Sequence, residues 1–363
     1  MKIGILGSRG IPNRYGGFEE CAEQLSIRWA AKGHDVYVYN SHQHPYSHKD
    51  FKGVSLIHKY DPENRVGTAG QFVYDLNSLI DAHWRDFDIL LMLGYTSSSV
   101  WKWAFPRKPM IITNMDGLEW KRSKYSRRVQ KFLKRAERWA AHGSDVLVAD
   151  AKEIQRYLND KYQRGAVYIP YGSHTFKNAD ESILEKYGLE PRQYNLVVAR
   201  LEPENNLETL LQGVQKSESE RVMLVVGNHE TSYGEYLKNT FKDSRIRFVK
   251  ASYKKKVINN LRYFSHLYFH GHTVGGTNPS LLEAMGCKCV ICAHDNPFNR
   301  EVLGEDGNYF LDVNDVVNAL DHLERNPVQN QRIKNNLDKL NTRFNWDIVA
   351  DQYEVVFQQA LIR

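Results

Sequence analysis

The residues best suited to binding a ligand lie in one stretch, His270-Gly-His-Thr-Val-Gly-Gly-Thr-Asn-Pro-Ser-Leu-Leu-Glu-Ala-Met285. Asn278 followed by Pro279 is typical of a helix start, because asparagine caps free N–H groups and proline has none to leave free. Gly275 and Gly276 allow the backbone to approach a ligand closely. A helix that begins here points free N–H groups and its positive dipole end at an anion, most readily a diphosphate. An ordinary strand-turn-helix connection would show the same residues.

Four charged residues are further candidates for this site. Glu283 lies five residues after the predicted cap and could bind a hydroxyl group of the ligand. Arg200 follows a predicted strand, where it is either a partner for a diphosphate or a surface arginine in a loop. Asp116 follows another predicted strand and either takes part in the site or caps the next helix. Glu301 lies in a short predicted helix and could face the same cleft.

The elements that must position these residues alternate along the chain. Strands are predicted at 3–6, 36–39, 54–58, 89–93, 110–113, 146–149, 167–169, 195–199, 222–226, 246–248 and 267–270. Helical segments are predicted between many of them, and the last helix of the chain is predicted at 346–361. This alternation predicts parallel, doubly wound sheets that bind ligands at the carboxyl ends of their strands.

The first strand is followed by a glycine-rich loop and a helix that ends near residue 31. Gly7, Gly10, Gly16 and Gly17 lack the Gly-x-Gly-x-x-Gly spacing of the dinucleotide fingerprint, which disfavours a dehydrogenase. The spacing instead predicts a longer, mobile loop with Gly16 and Gly17 at the start of the helix.

A basic amphipathic helix is predicted over 121–138, where nine residues are Lys or Arg and one is Glu. Apolar residues at 129, 132, 133, 136 and 139 form a stripe beneath the charges. The helix is either a solvated outer helix or a contact with anionic lipid headgroups. Nucleic acid is not predicted as a partner, because no recognition helix or RNA-binding motif is present.

Composition limits the class of protein. At 363 residues the chain predicts two domains, and 42% hydrophobic and 25% charged residues are typical of a soluble globular protein. No long apolar segment or signal peptide is recognisable, so a cytoplasmic location is expected. A net charge of +6 suits anionic ligands without choosing among them. Cys287, Cys289 and Cys292 lack a standard zinc spacing and are predicted to be structural.

Two α/β halves, a hinge at Pro170-Tyr-Gly-Ser-His174 and a long final helix resemble the GT-B architecture. That resemblance implies two Rossmann-like, doubly wound parallel-sheet domains facing a cleft. The N-terminal, acceptor domain would span 1–170 together with the helix at 346–363, which would pack back on it. The C-terminal, nucleotide-sugar donor domain would span 171–345.

The motifs narrow the resemblance to one family of enzymes. Ala199-Arg-Leu-Glu-Pro-Glu-Asn-Asn206, Asn278-Pro-Ser-Leu-Leu-Glu-Ala-Met285 and Arg300-Glu-Val-Leu-Gly304 are similar to the donor half of family 4 retaining glycosyltransferases. Gly7-Ser-Arg-Gly-Ile-Pro, Tyr15-Gly-Gly-Phe-Glu19 and Asn114-Met-Asp-Gly-Leu-Glu-Trp120 resemble a branch that includes bacterial rhamnosyltransferases of cell-surface polysaccharide assembly. The implied activity is hexosyl transfer.

The resemblance implies a role for most of the candidate residues. Arg200 would bind the donor diphosphate, Glu283 the nucleotide ribose, and Asp116 would face the transferred sugar or the acceptor hydroxyl. The remaining residues predicted to bind substrate are Gly16, Gly17, Tyr171, Asn206, His272, Gly275, Gly276, Thr277, Asn278 and Glu301. Neither a metal nor another cofactor is implied.

The chain departs from the family pattern at two positions. Gly275 stands where the first glutamate of Glu-x7-Glu is expected, and Asn205 or Asn206 replaces a lysine that would contact the diphosphate. His270, His272 or Lys288 could supply the missing charge.

The predicted reaction is transfer of a sugar, most plausibly rhamnose from dTDP-rhamnose, to a lipid-diphosphate-linked sugar or another glycan at the inner membrane face. A nucleotide-sugar epimerase of the same architecture and a non-catalytic module that binds sugar or nucleotide are the alternatives.

Overall fold

The computed structural model describes residues 1–122, 124–250 and 254–362. The described residues of Met1–Lys121, Tyr125–Tyr171 and Trp346–Arg363 form one compact unit, the N-terminal unit. Those of Arg122–Lys124 and Gly172–Asn345 form a second, the C-terminal unit. No helix in the described ranges combines the length and hydropathy that crossing a membrane requires.

The N-terminal unit is built on a sheet with strand order β3-β4-β2-β1-β5-β6-β7-β8, parallel except where β3 pairs with β4. Its strands are β1 (Lys2–Leu6), β2 (Asp35–Ser41), β3 (Asp50–Phe51), β4 (Val54–Lys59), β5 (Ile89–Leu93), β6 (Met110–Asn114), β7 (Val146–Ala149) and β8 (Ala166–Tyr168). Its helices are α1 (Gly17–Ala31), α2 (Glu63–Val66), α3 (Gly70–Ala82), α4 (Arg127–Gly143), α5 (Lys152–Tyr162) and the last helix of the chain, Trp346–Ile362. The central strand β5 is apolar and buried at every residue, as expected of a sheet covered on both faces.

The last helix packs on α1, as the sequence predicts. The Trp29 indole N–H donates a hydrogen bond to the Ala350 carbonyl at 3.1 Å. The Trp29 ring meets Phe357 edge-on, with 5.0 Å between ring centroids. Both tryptophan and phenylalanine are fully buried, so this helix completes the core of the N-terminal unit.

The C-terminal unit is built on an all-parallel sheet with strand order β11-β10-β9-β12-β13-β14. Its strands are β9 (Tyr194–Val198), β10 (Val222–Gly227), β11 (Ile246–Lys250), β12 (Leu267–His270), β13 (Val290–His294) and β14 (Asn308–Phe310). Its helices are α6 (Ser182–Glu185), α7 (Leu207–Lys216), α8 (Ser232–Thr240), α9 (Lys255–Phe264), α10 (Pro279–Gly286), α11 (Pro297–Leu303), α12 (Val313–His322) and α13 (Pro327–Thr342), so that the helix Trp346–Ile362 is α14. The chain therefore has the predicted α/β fold with two Rossmann-like parallel sheets.

The cysteines are buried free thiols, and Cys292 lies on β13 within the core of the C-terminal unit. Cys287 directly follows α10, and the Cys289 thiol donates to the Arg262 carbonyl at 3.1 Å. These surroundings agree with the structural role expected from the sequence.

The predicted helix over 121–138 is wrong at its beginning. Glu119–Lys121 forms a short 3₁₀ turn, and α4 begins only at Arg127. The Ser126 side chain accepts a hydrogen bond from the Val129 N–H, and a serine cap of this kind favours a helix start over a helix interior. Residue 123, which the prediction included, lies outside the described residues.

Candidate active site

The glycine-rich stretch links β12 to α10 at the carboxyl edge of the C-terminal sheet. β12 is buried at every residue and ends at His270. The Asn278 side-chain oxygen accepts a hydrogen bond from the Ser280 N–H at 2.9 Å, and Pro279 is the first helical residue. The cap expected from the sequence is therefore present, and the helix directs its amino end at the loop.

Glycines serve different purposes along this loop. A Cβ on Gly271 would lie 2.0 Å from the Asn205 carbonyl oxygen, so only glycine fits between the two segments. Gly275 has a φ of +141°, which side chains rarely adopt, yet no atom lies within 4 Å of where its Cβ would stand. The backbone at Gly275 is therefore open on the side where the family has a glutamate.

Hydrogen bonds tie this loop to the loop that follows β9. The Asn206 side-chain amide donates to the Gly271 carbonyl at 2.7 Å. The Thr273 N–H and hydroxyl both donate to the Glu204 carbonyl, at 3.2 and 2.9 Å. Asn206 thus has a clear structural role. Its predicted contact with substrate stays a prediction.

Arg200 lies in the same β9 loop and is exposed. The Asn205 amide donates to the Arg200 carbonyl at 2.7 Å, which holds the backbone of the loop. Within the described ranges, the Arg200 guanidinium forms no hydrogen bond or ion pair. Its charge nevertheless acts on His272 in the glycine-rich loop, which precedes α10.

His270 and His272 form a stacked pair with 4.4 Å between ring centroids. Both His270 ring nitrogens and the His272 Nδ1 are buried without a hydrogen-bond partner. Burial lowers the pKa of His270 well below its usual value, and burial together with the Arg200 and Arg122 charges lowers the pKa of His272 to about 3. Both rings are neutral near pH 7, so neither replaces the missing lysine charge.

Lys288 does not replace that charge either, because it follows the carboxyl end of α10. Its N–H donates to the Met285 carbonyl in the last turn of the helix. An eight-residue helix is about 12 Å long, so Lys288 is far from the capped amino end.

A shallow pocket lies between the glycine-rich loop and α11. The Asn296 and Asn299 side chains both donate to the His272 carbonyl, at 3.0 and 3.1 Å, and so fix the loop to this helix. The residues lining the pocket are His272, Thr273, Val274, Gly275, Gly276, Asn278, Phe298 and Asn299. The backbone of the predicted phosphate loop is thus accessible from one side, while Thr277 beside it is buried.

Glu283 is held by a buried cation. Its Oε2 lies 2.6 Å from Nη1 of Arg262, whose side chain is 3% exposed whereas that of Glu283 is 34% exposed. Arg262 also donates to the Ser280 hydroxyl at 2.8 Å, and this hydroxyl pairs with the buried Tyr268 phenol. Although burial opposes it, the Glu283 charge raises the pKa of Arg262. One carboxylate oxygen therefore has a fixed position, and the exposed part of Glu283 can meet a ligand hydroxyl.

Glu301 lies on α11 but its carboxylate is directed at α13. Its Oε1 lies 2.9 Å from Nη2 of Arg343, and Arg343 also donates to the Glu301 carbonyl at 3.2 Å. Glu301 is not among the residues that line the shallow pocket, and its predicted contact with substrate stays a prediction.

In the N-terminal unit, Gly16 caps α1 in extended backbone and Gly17 is the first helical residue. The long loop before them is held by carboxylates. The Arg9 side chain donates to Glu63 at 2.8 and 2.6 Å, while the Arg9 N–H donates to Glu19 at 2.8 Å. The expected long loop is present, and these bonds fix its central part.

Asp116 directly follows β6 in left-handed backbone, with a φ of 52°. Its N–H donates to the Asn114 side chain at 3.0 Å. The Ser126 side chain, and not Asp116, caps α4. Tyr171 is buried with its ring 4.9 Å from that of Trp346.

Comparison with known families identifies this arrangement. The model of the family "Glycosyl transferases group 1" matches residues 146–340. The chain belongs to this family. A second model, "Domain of unknown function (DUF1972)", matches residues 1–174, which include Gly16, Gly17 and Asp116. A comparison with curated proteins found no match.

Solved structures similar to this glycosyltransferase cover almost the whole chain. Sucrose-phosphate synthase from Thermosynechococcus elongatus has a TM-score of 0.80 at 17% identity, over 99% of this chain and 98% of that chain. HepE from Anabaena, in complex with UDP-glucose, has a TM-score of 0.77 at 14% identity, over 98% and 99%. An α,α-trehalose-phosphate synthase from Burkholderia xenovorans has a TM-score of 0.71 at 12% identity, over 99% and 100%. At such identities the likeness shows the fold, which is GT-B.

Several residues around this glycosyltransferase's loop were not predicted from the sequence. Arg262 follows Asn260 and Leu261 on α9, and all three residues are buried. A buried arginine requires an anionic partner, so the position of Arg262 in this helix was a signal of such a partner. Asn296-Pro297 repeats the Asn278-Pro279 pattern and likewise begins a helix at the carboxyl edge of the sheet. Within the described residues, no group of three or more His, Cys, Asp or Glu side chains is arranged to hold a metal ion.

Proposed function

We propose that this glycosyltransferase binds a nucleoside diphosphate sugar in its C-terminal unit and transfers the sugar with retention of configuration. The observation that carries the proposal is the junction of the β9 and β12 loops. It fastens the loop that carries Arg200, whose exposed guanidinium has no partner in the described residues, to the glycine-rich loop that precedes α10. A diphosphate matches this combination of a cation, free N–H groups and a helix dipole.

The same groups would assist departure of the leaving group. The bond between the anomeric carbon and the phosphate oxygen breaks, and negative charge develops on the diphosphate near Arg200. The acceptor hydroxyl forms the new bond on the face that the diphosphate leaves, and its proton passes to a phosphate oxygen. This route requires no nucleophile from the protein, and Asp116 would orient the acceptor hydroxyl or the transferred sugar.

Glu283 would bind the ribose of the donor. Its place on α10, five residues after the Asn278 cap, and its fixed Oε2 support this role, because a ribose hydroxyl can donate to the exposed part of the carboxylate. Arg262 would then act through Glu283 by setting the orientation of its carboxylate.

We further propose dTDP-rhamnose as the donor. The open backbone at Gly275 supports a sugar that does not require the family's first glutamate, since a 6-deoxy sugar presents a different set of hydroxyl groups. The structural relative HepE has been solved with UDP-glucose, so dTDP and UDP are the first nucleotides to compare.

Thermal unfolding with dTDP, UDP and GDP tests the choice of nucleotide. A ligand that binds only the folded protein raises its stability by RT ln(1 + [L]/Kd), so dTDP should raise Tm most. Turnover of dTDP-rhamnose and UDP-glucose, with the anomeric configuration of the product read by NMR, tests the sugar and the stereochemistry. A larger shift with UDP or GDP would refute dTDP-rhamnose, and an inverted product would refute retention.

For the acceptor we propose a lipid-diphosphate-linked sugar at the membrane surface. Support comes from the cations of α4, all of which are exposed: Arg127, Arg128, Lys131, Lys134, Arg135 and Arg138. None of them forms a salt bridge with a carboxylate of the described residues, and the Glu137 carboxylate of the same helix is buried against Lys161, Tyr157 and Tyr162. Each such cation contributes about 1 kcal/mol near an anionic membrane surface.

Charge reversal on α4 tests this location. A variant with Arg128, Lys131 and Arg135 changed to Glu should no longer sediment with vesicles that contain phosphatidylglycerol. Reversal of the exposed Lys216 on α7, which lies in the other unit, is the control. Equal sedimentation of the α4 variant and the parent would contradict membrane contact through this helix.

A further inference from the structure

A hollow of about 490 Å³ lies at the edge of the N-terminal sheet opposite Asp116. It is lined by residues 82, 83, 86 and 87, which precede β5, and by residues 103 and 105–109, which precede β6. Asp116 follows β6, whereas the hollow adjoins the amino ends of β5 and β6. The hollow is therefore separate from the carboxyl edge, where the proposed acceptor site lies.

Two tryptophans at this edge are unusually exposed. Trp84 is 84% exposed and Trp103, which lines the hollow, is 72% exposed. Their neighbour Trp101 is partly buried, and its indole N–H donates to the Phe72 carbonyl at 2.8 Å. Trp101 thus fastens the 3₁₀ segment Ser99–Ala104 to α3, whereas Trp84 and Trp103 contribute little to the fold.

The charges beside these tryptophans are mainly positive. Lys108 pairs with Asp86 at 2.7 Å, but Arg107 is exposed and forms no ion pair within the described residues. The carboxyl end of α4 packs beside the hollow, because a Cβ on Gly143 would lie 3.1 Å from the Phe105 ring. Within the described residues, Arg107 therefore gives this edge an unpaired positive charge.

We propose that Trp84, Trp103 and Arg107, here called the tryptophan rim, enter the headgroup layer of an anionic phospholipid bilayer. Tryptophan is favoured at this layer because its apolar ring and its N–H suit the boundary between acyl chains and water. The adjacent Arg107 cation adds attraction to anionic headgroups. The rim deepens the proposed membrane location of the enzyme by adding apolar insertion to the electrostatic contact of α4.

The test compares binding of the parent and the Trp84→Ala/Trp103→Ala variant to vesicles of phosphatidylcholine with phosphatidylglycerol. The partition coefficient of the double variant should fall at least tenfold, which corresponds to about 1.4 kcal/mol. Trp84→Phe/Trp103→Phe should retain most of the binding, since phenylalanine keeps an insertable ring. Arg107→Glu should weaken binding more than the control Lys216→Glu, which makes the same change in net charge.

Brominated acyl chains give a second readout, because they should quench the fluorescence of the parent more than that of the double variant. Equal partition of the parent and the double variant would overturn the proposal. So would self-association of the parent that the double variant lacks, measured by light scattering without vesicles, because the rim would then be a protein interface.

These outcomes are distinguishable from failure of the proposed reaction. The exposed rim residues lie outside the donor site, so the double variant should keep the parent's thermal stability and its Tm shift with dTDP. If the double variant loses vesicle binding but keeps its thermal stability and its Tm shift with dTDP, the result supports the tryptophan rim. If dTDP shifts the Tm of neither protein, the result contradicts only the proposed donor.

Discussion

The ion pair between Arg262 and Glu283 predicts an asymmetry between two single substitutions. Glu283→Gln leaves a guanidinium that is 3% exposed without its counter-charge. Removing one partner of a fully buried pair costs about 3–5 kcal/mol. Because the Glu283 carboxylate is 34% exposed and partly screened, we expect a loss of roughly 2–3 kcal/mol.

Arg262→Met should cost less. It removes hydrogen bonds to the Ser280 hydroxyl and the Asn259 side chain, but it leaves a carboxylate that water can reach. We expect a loss of roughly 1–2 kcal/mol, since methionine keeps much of the packing. In the double variant no buried charge remains, so its stability should be close to that of Arg262→Met alone, with a coupling energy of about 2–3 kcal/mol in magnitude.

Denaturant unfolding of the four proteins measures this cycle, provided that the slope m is unchanged by the substitutions. Glu220→Gln, at an exposed glutamate, is the control and should be neutral. If the stability loss of the double variant equals the sum of the two single losses to within about 0.5 kcal/mol, Arg262 and Glu283 are not coupled as described. Calorimetry supplies a second readout, because Glu283→Gln should weaken binding of nucleoside diphosphate whereas Glu220→Gln should not.

Three further predictions concern the loops of the donor site. Arg200→Ala should lower turnover at least tenfold, since a charge-assisted contact contributes about 1.5–3 kcal/mol. The control Arg247→Ala should not lower turnover. Equal steady-state rates for the two variants would remove Arg200 from the site. Gly275→Ala should lower nucleotide affinity about tenfold in calorimetry, because a φ of +141° strains alanine by about 1–3 kcal/mol. Gly165→Ala is the control. An unchanged Kd for Gly275→Ala would show that the loop tolerates a side chain. The pKa of His272 is about 3 in the folded state and near 6.5 in the unfolded state. Because the unfolded state binds more protons between these two values, the stability of the fold should decrease as the pH is lowered through this window. The decrease should reach up to about 1.4 kcal/mol per pH unit. His272→Asn should reduce that slope in unfolding measured at pH 7 and pH 5, and an unchanged slope would mean that His272 does not contribute.

Local patterns predicted much of the C-terminal unit. The Asn278 cap and the apolar strand β12 both follow from residues that are neighbours in sequence. Prediction was poorer where a short polar segment decides between two local structures. The stretch before α4 carries the right charges for a helix, but the Ser126 cap delays its start to Arg127.

Long-range partners were beyond these patterns. Glu301 was predicted in a short helix that could face the cleft, and the structure pairs its carboxylate with Arg343, directly after α13. His272 was a candidate source of positive charge, but its burial beside Arg200 keeps the imidazole neutral near pH 7. Both results depend on which surfaces pack together, a question that composition and periodicity leave open.

By itself, the sequence determined the α/β fold, the positions of the glycines and the Asn278 cap, because backbone conformation and capping depend on adjacent residues. Only the tertiary structure decided that the β9 loop is fastened to the β12 loop and that Arg262 holds Glu283. Those contacts join residues far apart in the chain, and they form only when parallel strands bring their carboxyl ends to one edge of a sheet.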